Sequence, residues 1–285
     1  MSYRTILVHL NDSRRARQLL WHAAEIARTF EARLLGLHVS PQLHGRIVDP
    51  DYPHMPLEAL KFSRDEEADH LRAIFDEMTN SERFCSTFRS ITAERSAPAP
   101  IVLARARAAD LDITSQADSE WPLSALLDCS DRLVVESGRP VLIVPNVNER
   151  PVLPKTAIVA WNQSREATRA MFEALPLLKG ARTVELLILQ EPGTDGRGDI
   201  ATDQATLPAS AIAEALAAHG IKLIVTTLTA SGISAGEQIC ARASEQNTDL
   251  VVMGAYGHSR LREFVFGGAT HHVLANMMVP TLFSH

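Results

Sequence analysis

The sequence predicts an α/β protein of two tandem Rossmann-like domains packed as a pseudo-dimer, each an open, mostly parallel five-stranded sheet with helices on both faces. Three observations support this fold class. Strand patterns alternate with amphipathic helix patterns, as in a parallel sheet covered on both sides. The pattern of the first 39 residues returns 151 residues later, and the two halves of the chain end in the same way.

The first strand, helix and strand occupy Arg4 to Val39. Thr5 to Leu10 is apolar enough for a buried strand, and Asn11 to Ser13 is a polar turn. An amphipathic helix pattern follows the turn and leads directly into a second apolar strand, Arg33 to Val39. Strand, helix and strand at this length form a βαβ unit.

The segment from Lys155 to Leu189 repeats this pattern. Five identities lie in register at the offset of 151, and chance would hardly supply so many within one matching periodicity. The matched pairs are Thr5 with Thr156, Val8 with Val159, Asn11 with Asn162, Ser13 with Ser164 and Arg14 with Arg165. The repeat therefore predicts a duplicated domain.

Each half closes with a helix end, a proline and a short apolar strand. These strands are Val141 to Val144 and Thr281 to Phe283, and a polar, proline-rich linker lies at Asn146 to Pro154. We therefore place the domains at residues 1–147 and 153–285. Apolar edge strands need a cover.

The halves differ in the middle. The first has a polar loop at Pro41 to Pro56, a charged helix at Leu57 to Thr79 and a strand near Phe84 to Ile91. The second has a glycine-containing loop at Glu191 to Thr206, and then two further elements. These are a helix at Pro208 to His219 and a strand at Lys222 to Leu228.

A strand, a glycine turn and a helix follow in the second half. Asp249 to Met253 is a buried strand pattern, and Gly254 and Gly257 allow a sharp backbone path after it. Gly267 and Gly268 open a helix whose first N–H groups have no partner within the helix. Glycine turns at a helix N-terminus predict an anion-binding site.

Composition and motifs exclude several classes of protein. A net charge of −6 argues against nucleic acid or an anionic membrane as partner. Three scattered cysteines indicate neither a disulfide framework nor a zinc site, and no apolar run reaches membrane length. Without a P-loop or a serine elbow, we expect a cytoplasmic binding protein, not an enzyme, with no catalytic residues and no metal site.

The chain resembles a tandem universal stress protein, with two UspA-type domains, over nearly its whole length. The resemblance rests on the first-strand ends and on Gly254-x2-Gly257-x9-Gly267, which matches the family's G-x2-G-x9-G-(S/T) loop. In nucleotide-binding members this loop holds the ATP phosphates, and the first-strand end lies against the nucleoside. In the family the last strands pair across the domain or subunit contact, so the resemblance implies that the two last strands pair here and that the chain self-associates through their edges. It also implies ATP, with or without Mg²⁺, as ligand. It places at the nucleotide Ala160, Asn162, Leu189, Met253, Gly254, Tyr256, Gly257, Gly267, Gly268, Ala269 and Thr270.

The sequence departs from the family pattern at two positions. Gly268 stands where the family has Ser or Thr, which leaves Thr270 or Ser259 as the nearby hydroxyl. Asn162 stands where the family usually has Asp, so a charge is lost while an acceptor oxygen remains. In the first half Ser115 replaces Gly254 and no glycine loop follows, so we predict one nucleotide site per chain.

Three functions remain open from the sequence. The first is a stress-response regulator that binds an adenine nucleotide in its C-terminal domain and acts on an unknown protein partner. The second is an interaction scaffold without a nucleotide, in which Gly268 and Asn162 mark a lost site. The third is a slow ATP hydrolase.

Overall fold

The computed structural model describes residues 2–41, 57–93, 98–121, 123–147, 153–190, 209–229, 232–256 and 268–285. The chain divides into two compact units, one comprising Tyr3–Ser137 and the other containing Gly138–His285. The loop predicted at Pro41 to Pro56 lies almost wholly outside the described residues, and the loop at Glu191 to Thr206 lies entirely outside them.

The first unit alternates strands and helices as predicted. Its strands are β1 (Thr5–His9), β2 (Arg33–Pro41), β3 (Ser86–Ala93) and β4 (Leu111–Ser115). Its helices are α1 (Ser13–Phe30), α2 (Leu57–Thr79), α3 (Ala99–Ala106), α4 (Ser124–Leu127) and α5 (Ser130–Glu136). All four strands are parallel, in the order β3-β2-β1-β4.

The second unit has the same alternation with one strand added. Its strands are β5 (Val141–Val144), β6 (Thr156–Trp161), β7 (Thr183–Gln190), β8 (Leu223–Thr229), β9 (Leu250–Gly254) and β10 (Thr281–Ser284). Its helices are α6 (Arg165–Glu173), α7 (Leu175–Leu178), α8 (Ala209–Ala218), α9 (Ala235–Glu245) and α10 (Ala269–Asn276). The order is β5-β10-β9-β6-β7-β8, and only β5 is antiparallel to its neighbour in this unit.

Strand β5 packs with the second unit although it closes the first half of the sequence repeat. Thr281 lies opposite Ile143 and Phe283 opposite Val141, which gives the expected pairing of the two last strands. Because β10 has β5 on one side and β9 on the other, it leaves no open edge for a second copy of the chain. The ranges 1–147 and 153–285 therefore follow the sequence repeat, whereas the packing divides after Ser137.

An aspartate carboxylate fixes the start of the first strand of the repeat in the same way in both units. Asp110 Oδ2 accepts the backbone N–H groups of Arg4 and Thr5, at 2.8 and 2.9 Å. Asp249 Oδ2 accepts those of Lys155 and Thr156, at 2.9 and 3.0 Å. The two units therefore share this contact in atomic detail as well as their sequence pattern.

The chain order places a switch point in each sheet. From β6 the chain moves outward through β7 and β8 and then returns to β9 on the other side of β6. The first unit does the same at β1 and β4. In open parallel sheets the crevice beyond the carboxyl ends of two such strands is the usual ligand site.

Among the described helices, none is both long enough and apolar enough to cross a membrane.

Candidate functional site

The predicted site residues of the second unit gather around the switch point between β6 and β9. Ala160, near the end of β6, lies directly opposite Met253 of β9 in the parallel register. Asn162 follows the last residue of β6, and Gly254 is the last residue of β9. The two strand ends therefore bring these segments to one edge, although they lie more than ninety residues apart in sequence.

Asn162 forms the turn between β6 and α6. Its side chain is exposed, and Oδ1 accepts the backbone N–H of Ser164 at 3.1 Å. The side-chain amide is a donor that this turn does not use. The next residue, Gln163, has a φ of 63°, a left-handed conformation that is uncommon for a residue other than glycine.

Gly254 is required by packing against α6. A Cβ atom built on Gly254 would lie 2.4 Å from the backbone nitrogen of Ala167 and 2.5 Å from the carbonyl carbon of Glu166. Its φ lies outside the left-handed region, so the sharp turn expected at this glycine is not its structural role. The close approach of β9 to the first turn of α6 explains the glycine instead.

Tyr256, two residues after Gly254, has a left-handed backbone conformation. Its φ is 54°, and its backbone N–H donates to Thr270 Oγ1 at 3.2 Å. Thr270 lies in the first turn of α10 and is buried. Its hydroxyl therefore joins the two described ends of the glycine segment, and its own hydrogen remains a donor.

The start of α10 is not capped by a side chain. Gly268 is the N-cap residue and has no side chain to accept a hydrogen bond, and Ala269 is the first helical residue. The first N–H groups of a helix need acceptors from outside it. Among the described residues, no side chain caps this end of α10, and a free helix start is what the anion-binding prediction requires.

The remaining predicted residues have different surroundings. Met253 is buried in the sheet, and Leu189 in β7 is half-buried opposite Leu228. Gly257, Gly267 and Ser259 lie outside the described residues. The structure therefore describes the residues on either side of the predicted glycine loop, up to Tyr256 and from Gly268.

The sequence interpretation did not single out Glu166. This residue is buried in the first turn of α6 beside Gly254, and Arg165 Nε donates to its Oε1 at 3.0 Å. Burial raises the pKa of its carboxyl group, but hydrogen bonds from its own backbone N–H and from Arg165 outweigh burial and lower it. An acidic residue early in a helix is favourable to the helix dipole, and this was the available sequence signal.

The described residues enclose a small cavity at the opposite edge of the second sheet. It has a volume of about 90 Å³ and is lined mainly by apolar side chains, together with Cys240, Ser244 and Thr281, near the amino ends of β9 and β10. Burial raises the pKa of the Cys240 thiol, which makes this thiol a weaker nucleophile. Within the described ranges, no group of three or more His, Cys, Asp or Glu side chains is placed to hold a metal ion.

Comparison with known sequences finds similarity to one protein family in the second half of the chain. The model of the universal stress protein family matches residues 154–285. Universal stress protein Slr1230 of Synechocystis sp. is 41% identical over 64 residues, which are 22% of this chain and 21% of that protein. The match to this curated relative therefore spans only a small part of its length.

Solved structures match the whole chain. A universal stress protein from Archaeoglobus fulgidus DSM 4304 aligns over 98% of this chain and 95% of its own, with a TM-score of 0.66 and 16% identity. A putative universal stress protein from Pseudomonas aeruginosa UCBPP-PA14 aligns over 99% and 93%, with a TM-score of 0.55 and 17% identity. At these identities the structures establish the two-domain α/β fold and nothing finer.

Proposed function

We propose that this chain is a universal stress protein and that its second unit, which the family model matches over residues 154–285, binds an adenine nucleotide, with ATP as the expected ligand. The site is the crevice beyond the carboxyl ends of β6 and β9. In this proposal the protein acts as a stress-response regulator whose action depends on whether the nucleotide is bound.

The switch point of the second sheet is the single observation that carries the proposal. Asn162 at the end of β6 and the segment from Gly254 to Tyr256 at the end of β9 border the same crevice, because β6 and β9 are neighbours. The uncapped start of α10 is tied to this segment through Thr270. Backbone N–H groups at a helix start favour phosphate, and the amide of Asn162 adds a neutral donor.

Two residues with strained backbone angles support a ligand site beyond the ends of β6 and β9. Gln163 and Tyr256 both have positive φ values and follow the ends of the neighbouring strands β6 and β9. The other described non-glycine residues with positive φ, Glu31 and Asn247, follow the ends of α1 and α9. Left-handed residues outside helix ends cluster at ligand sites, since surrounding structure must hold them there.

The proposal is binding without rapid turnover. Hydrolysis of a γ-phosphate needs a base that positions water near it. Glu166, the described acid beside Gly254, is buried and hydrogen-bonded to Arg165, so it is not placed as such a base. A purified sample that hydrolysed ATP at about 1 per second or faster would contradict this part of the proposal.

A thermal-shift titration with ATP, ADP and AMP tests the binding proposal. A ligand that binds only the folded state raises the unfolding temperature by mass action. We expect ATP to give a concentration-dependent rise that is reduced in Asn162→Ala, because this variant lacks the amide donor at the end of β6. The control is His70→Gln, a substitution at an exposed position in the first unit, which should keep the full response to ATP.

The interaction scaffold is the second candidate, and one observation favours it. The oxygens of Asn162 and Thr270 already accept backbone N–H groups within the protein. Some of the polar atoms expected to contact a nucleotide therefore have partners without one. No shift in unfolding temperature at millimolar ATP with Mg²⁺ would favour the scaffold over the nucleotide-binding regulator.

A further inference from the structure

The first unit has a carboxylate at the switch point where the second unit has its proposed ligand site. Asn11 lies just beyond β1, and Ser115 is the last residue of β4. Both are buried. The Asp128 side chain lies against Asn11, from which it is separated by more than a hundred residues of sequence.

The spacing of the two units matches around this carboxylate. Strands β4 and β9 each have five residues and end at Ser115 and Gly254, and α5 and α10 each begin fifteen residues after that end. The same alignment places Asp128 where the second unit has Gly267. An aspartate therefore stands in the first unit at the position of the last glycine of the phosphate-loop motif.

Three donors from different segments bind the Asp128 carboxylate. The amide Nδ2 of Asn11 donates to Oδ1. The hydroxyl of Ser124 donates to Oδ2 at 2.5 Å, and the backbone N–H of Asp118 donates to Oδ2 at 3.1 Å. An amide, a hydroxyl and a backbone N–H are the neutral donors that also bind free oxyanions.

The donors match the repeat as well. Asn11 corresponds to Asn162 in the sequence repeat, and Asp118 lies three residues after Ser115, as Gly257 lies three residues after Gly254. The segment that carries Asp118 is also fixed by contacts that do not involve Asp128. The Arg14 guanidinium lies 5.4 Å from the ring centre of Trp121 and 3.8 Å from Asp118 Oδ2. The donors are therefore ordered around one carboxylate position.

The contacts of Asp128 offset part of the cost of its burial. Burial raises the pKa of its carboxyl group above the ordinary value, and hydrogen bonds from Ser124, Asp118 and Asn11 oppose that rise only in part. A half-buried carboxylate that lost these donors would be disfavoured further. Equally, donors that lost the carboxylate would be left without an acceptor, at a free-energy cost of about 1–3 kcal/mol for each buried group.

We propose that Asp128 is a built-in anion, which occupies the oxyanion position of the first unit and closes it to free ligands. The site is retained as a set of donors, but its occupant is covalently part of the chain. Removal of the carboxylate opens a site for a small carboxylate or phosphate. This inference rests on the repeat and on the contacts of Asp128, and it does not depend on nucleotide binding by the second unit.

Chemical rescue in the full chain tests the proposal. The variant is Asp128→Gly, which restores the residue found at the corresponding position of the second unit. We expect a lower unfolding temperature than in the wild-type protein, and a saturable recovery with sodium formate relative to sodium chloride at equal ionic strength. Formate should also shift the backbone amide resonance of Asp118 in this variant and leave it unchanged in the wild-type protein.

Leu133→Ala is the matched control. Leu133 is fully buried in α5, so its truncation destabilises the same region without removing an anion. Formate should give this control no recovery beyond that of chloride. Equal formate responses in the control and in Asp128→Gly, or an unchanged Asp118 resonance, would overturn the proposal.

Asp128→Asn keeps the test decisive if the glycine variant does not fold. The isosteric amide presents N–H groups toward donors that need an acceptor, so this variant should unfold at a lower temperature than the wild-type protein. A variant as stable as the wild-type protein would show that the carboxylate charge is not needed. Neither outcome depends on ATP, so failure here is distinguishable from failure of the proposed nucleotide site.

Discussion

At the end of β9, different residues perform the structural roles that were expected of the glycine motif. Gly254 allows the strand to approach the backbone of α6, and Tyr256 makes the left-handed turn. The missing hydroxyl at Gly268 is partly replaced by Thr270, which accepts the N–H of Tyr256. A motif read as ligand contact therefore also has a packing role that exists without a ligand.

Gly254→Ala should destabilise the protein even when no nucleotide is present. The added methyl group would meet the backbone of Glu166 and Ala167, which cannot move without displacing α6. We expect a loss of about 1–3 kcal/mol in the free energy of unfolding, as for other overpacked sites, measured by urea denaturation.

Gly180→Ala is the control for this substitution, because the nearest atom to its built Cβ is 3.7 Å away. It should leave the free energy of unfolding nearly unchanged or raise it slightly. If Gly254→Ala proved as stable as this control and lost only nucleotide binding, the packing role assigned to Gly254 would be wrong.

At the scale of elements, the local sequence pattern predicted most strands and helices. Which strands lie next to each other depends on contacts between residues far apart in sequence. The charged helix predicted at Leu57 to Thr79 has those bounds, and the strand predicted at Lys222 to Leu228 is shifted by one residue. Such segments follow from periodicity and turn residues within a short window. The antiparallel partner of β5 is 140 residues away, so no local pattern could reveal which unit it joins.

The candidate site was predictable to the same extent. Asn162 was found because it follows a strand that the repeat identifies, and Gly254 because it begins the glycine motif of the family. Glu166 and Gln163 were missed because their roles depend on backbone contacts and backbone angles. The Asp128 network joins segments more than a hundred residues apart, and composition alone gives no sign of it.

A fragment comparison tests the assignment of β5. A fragment of residues 138–285 keeps β5 beside β10, whereas one of residues 153–285 leaves that edge of β10 unpaired. Because the longer fragment keeps the pairing of β5 with β10, we expect it to be the more stable of the two. Thermal unfolding would measure this difference, and equal unfolding temperatures of the two fragments would contradict the assignment.

At the scale of the whole molecule, buried histidines make stability depend on pH. His22 lies on the buried face of α1, where burial lowers its pKa to about 4. Burial, and then the nearby His38, lowers the pKa of His9 to about 3. The ordinary pKa of histidine is about 6.5. Below that pH, therefore, these two histidines bind protons in the unfolded chain while they stay neutral in the folded chain.

His22→Leu should make the protein more resistant to mild acid. As the pH falls below about 6.5, each of these neutral buried histidines costs the wild-type protein up to about 1.4 kcal/mol per pH unit. The variant loses the share due to His22, so its free energy of unfolding should fall less steeply toward about pH 5. Urea denaturation at several pH values measures this slope.

His70→Gln, an exposed substitution on α2, is the control for the pH series and should keep the wild-type slope. The same slope in His22→Leu as in this control would show that His22 is not held neutral by burial.

Isothermal titration of the wild-type chain with ATP and Mg²⁺ is the most direct test of the central claim. The second unit has the uncapped helix start and the glycine segment, and in the first unit Asp128 takes the corresponding position. We therefore predict one ATP per chain, and weaker binding in Asn162→Ala. Two equivalent sites per chain, or no binding at millimolar ATP, would contradict the account.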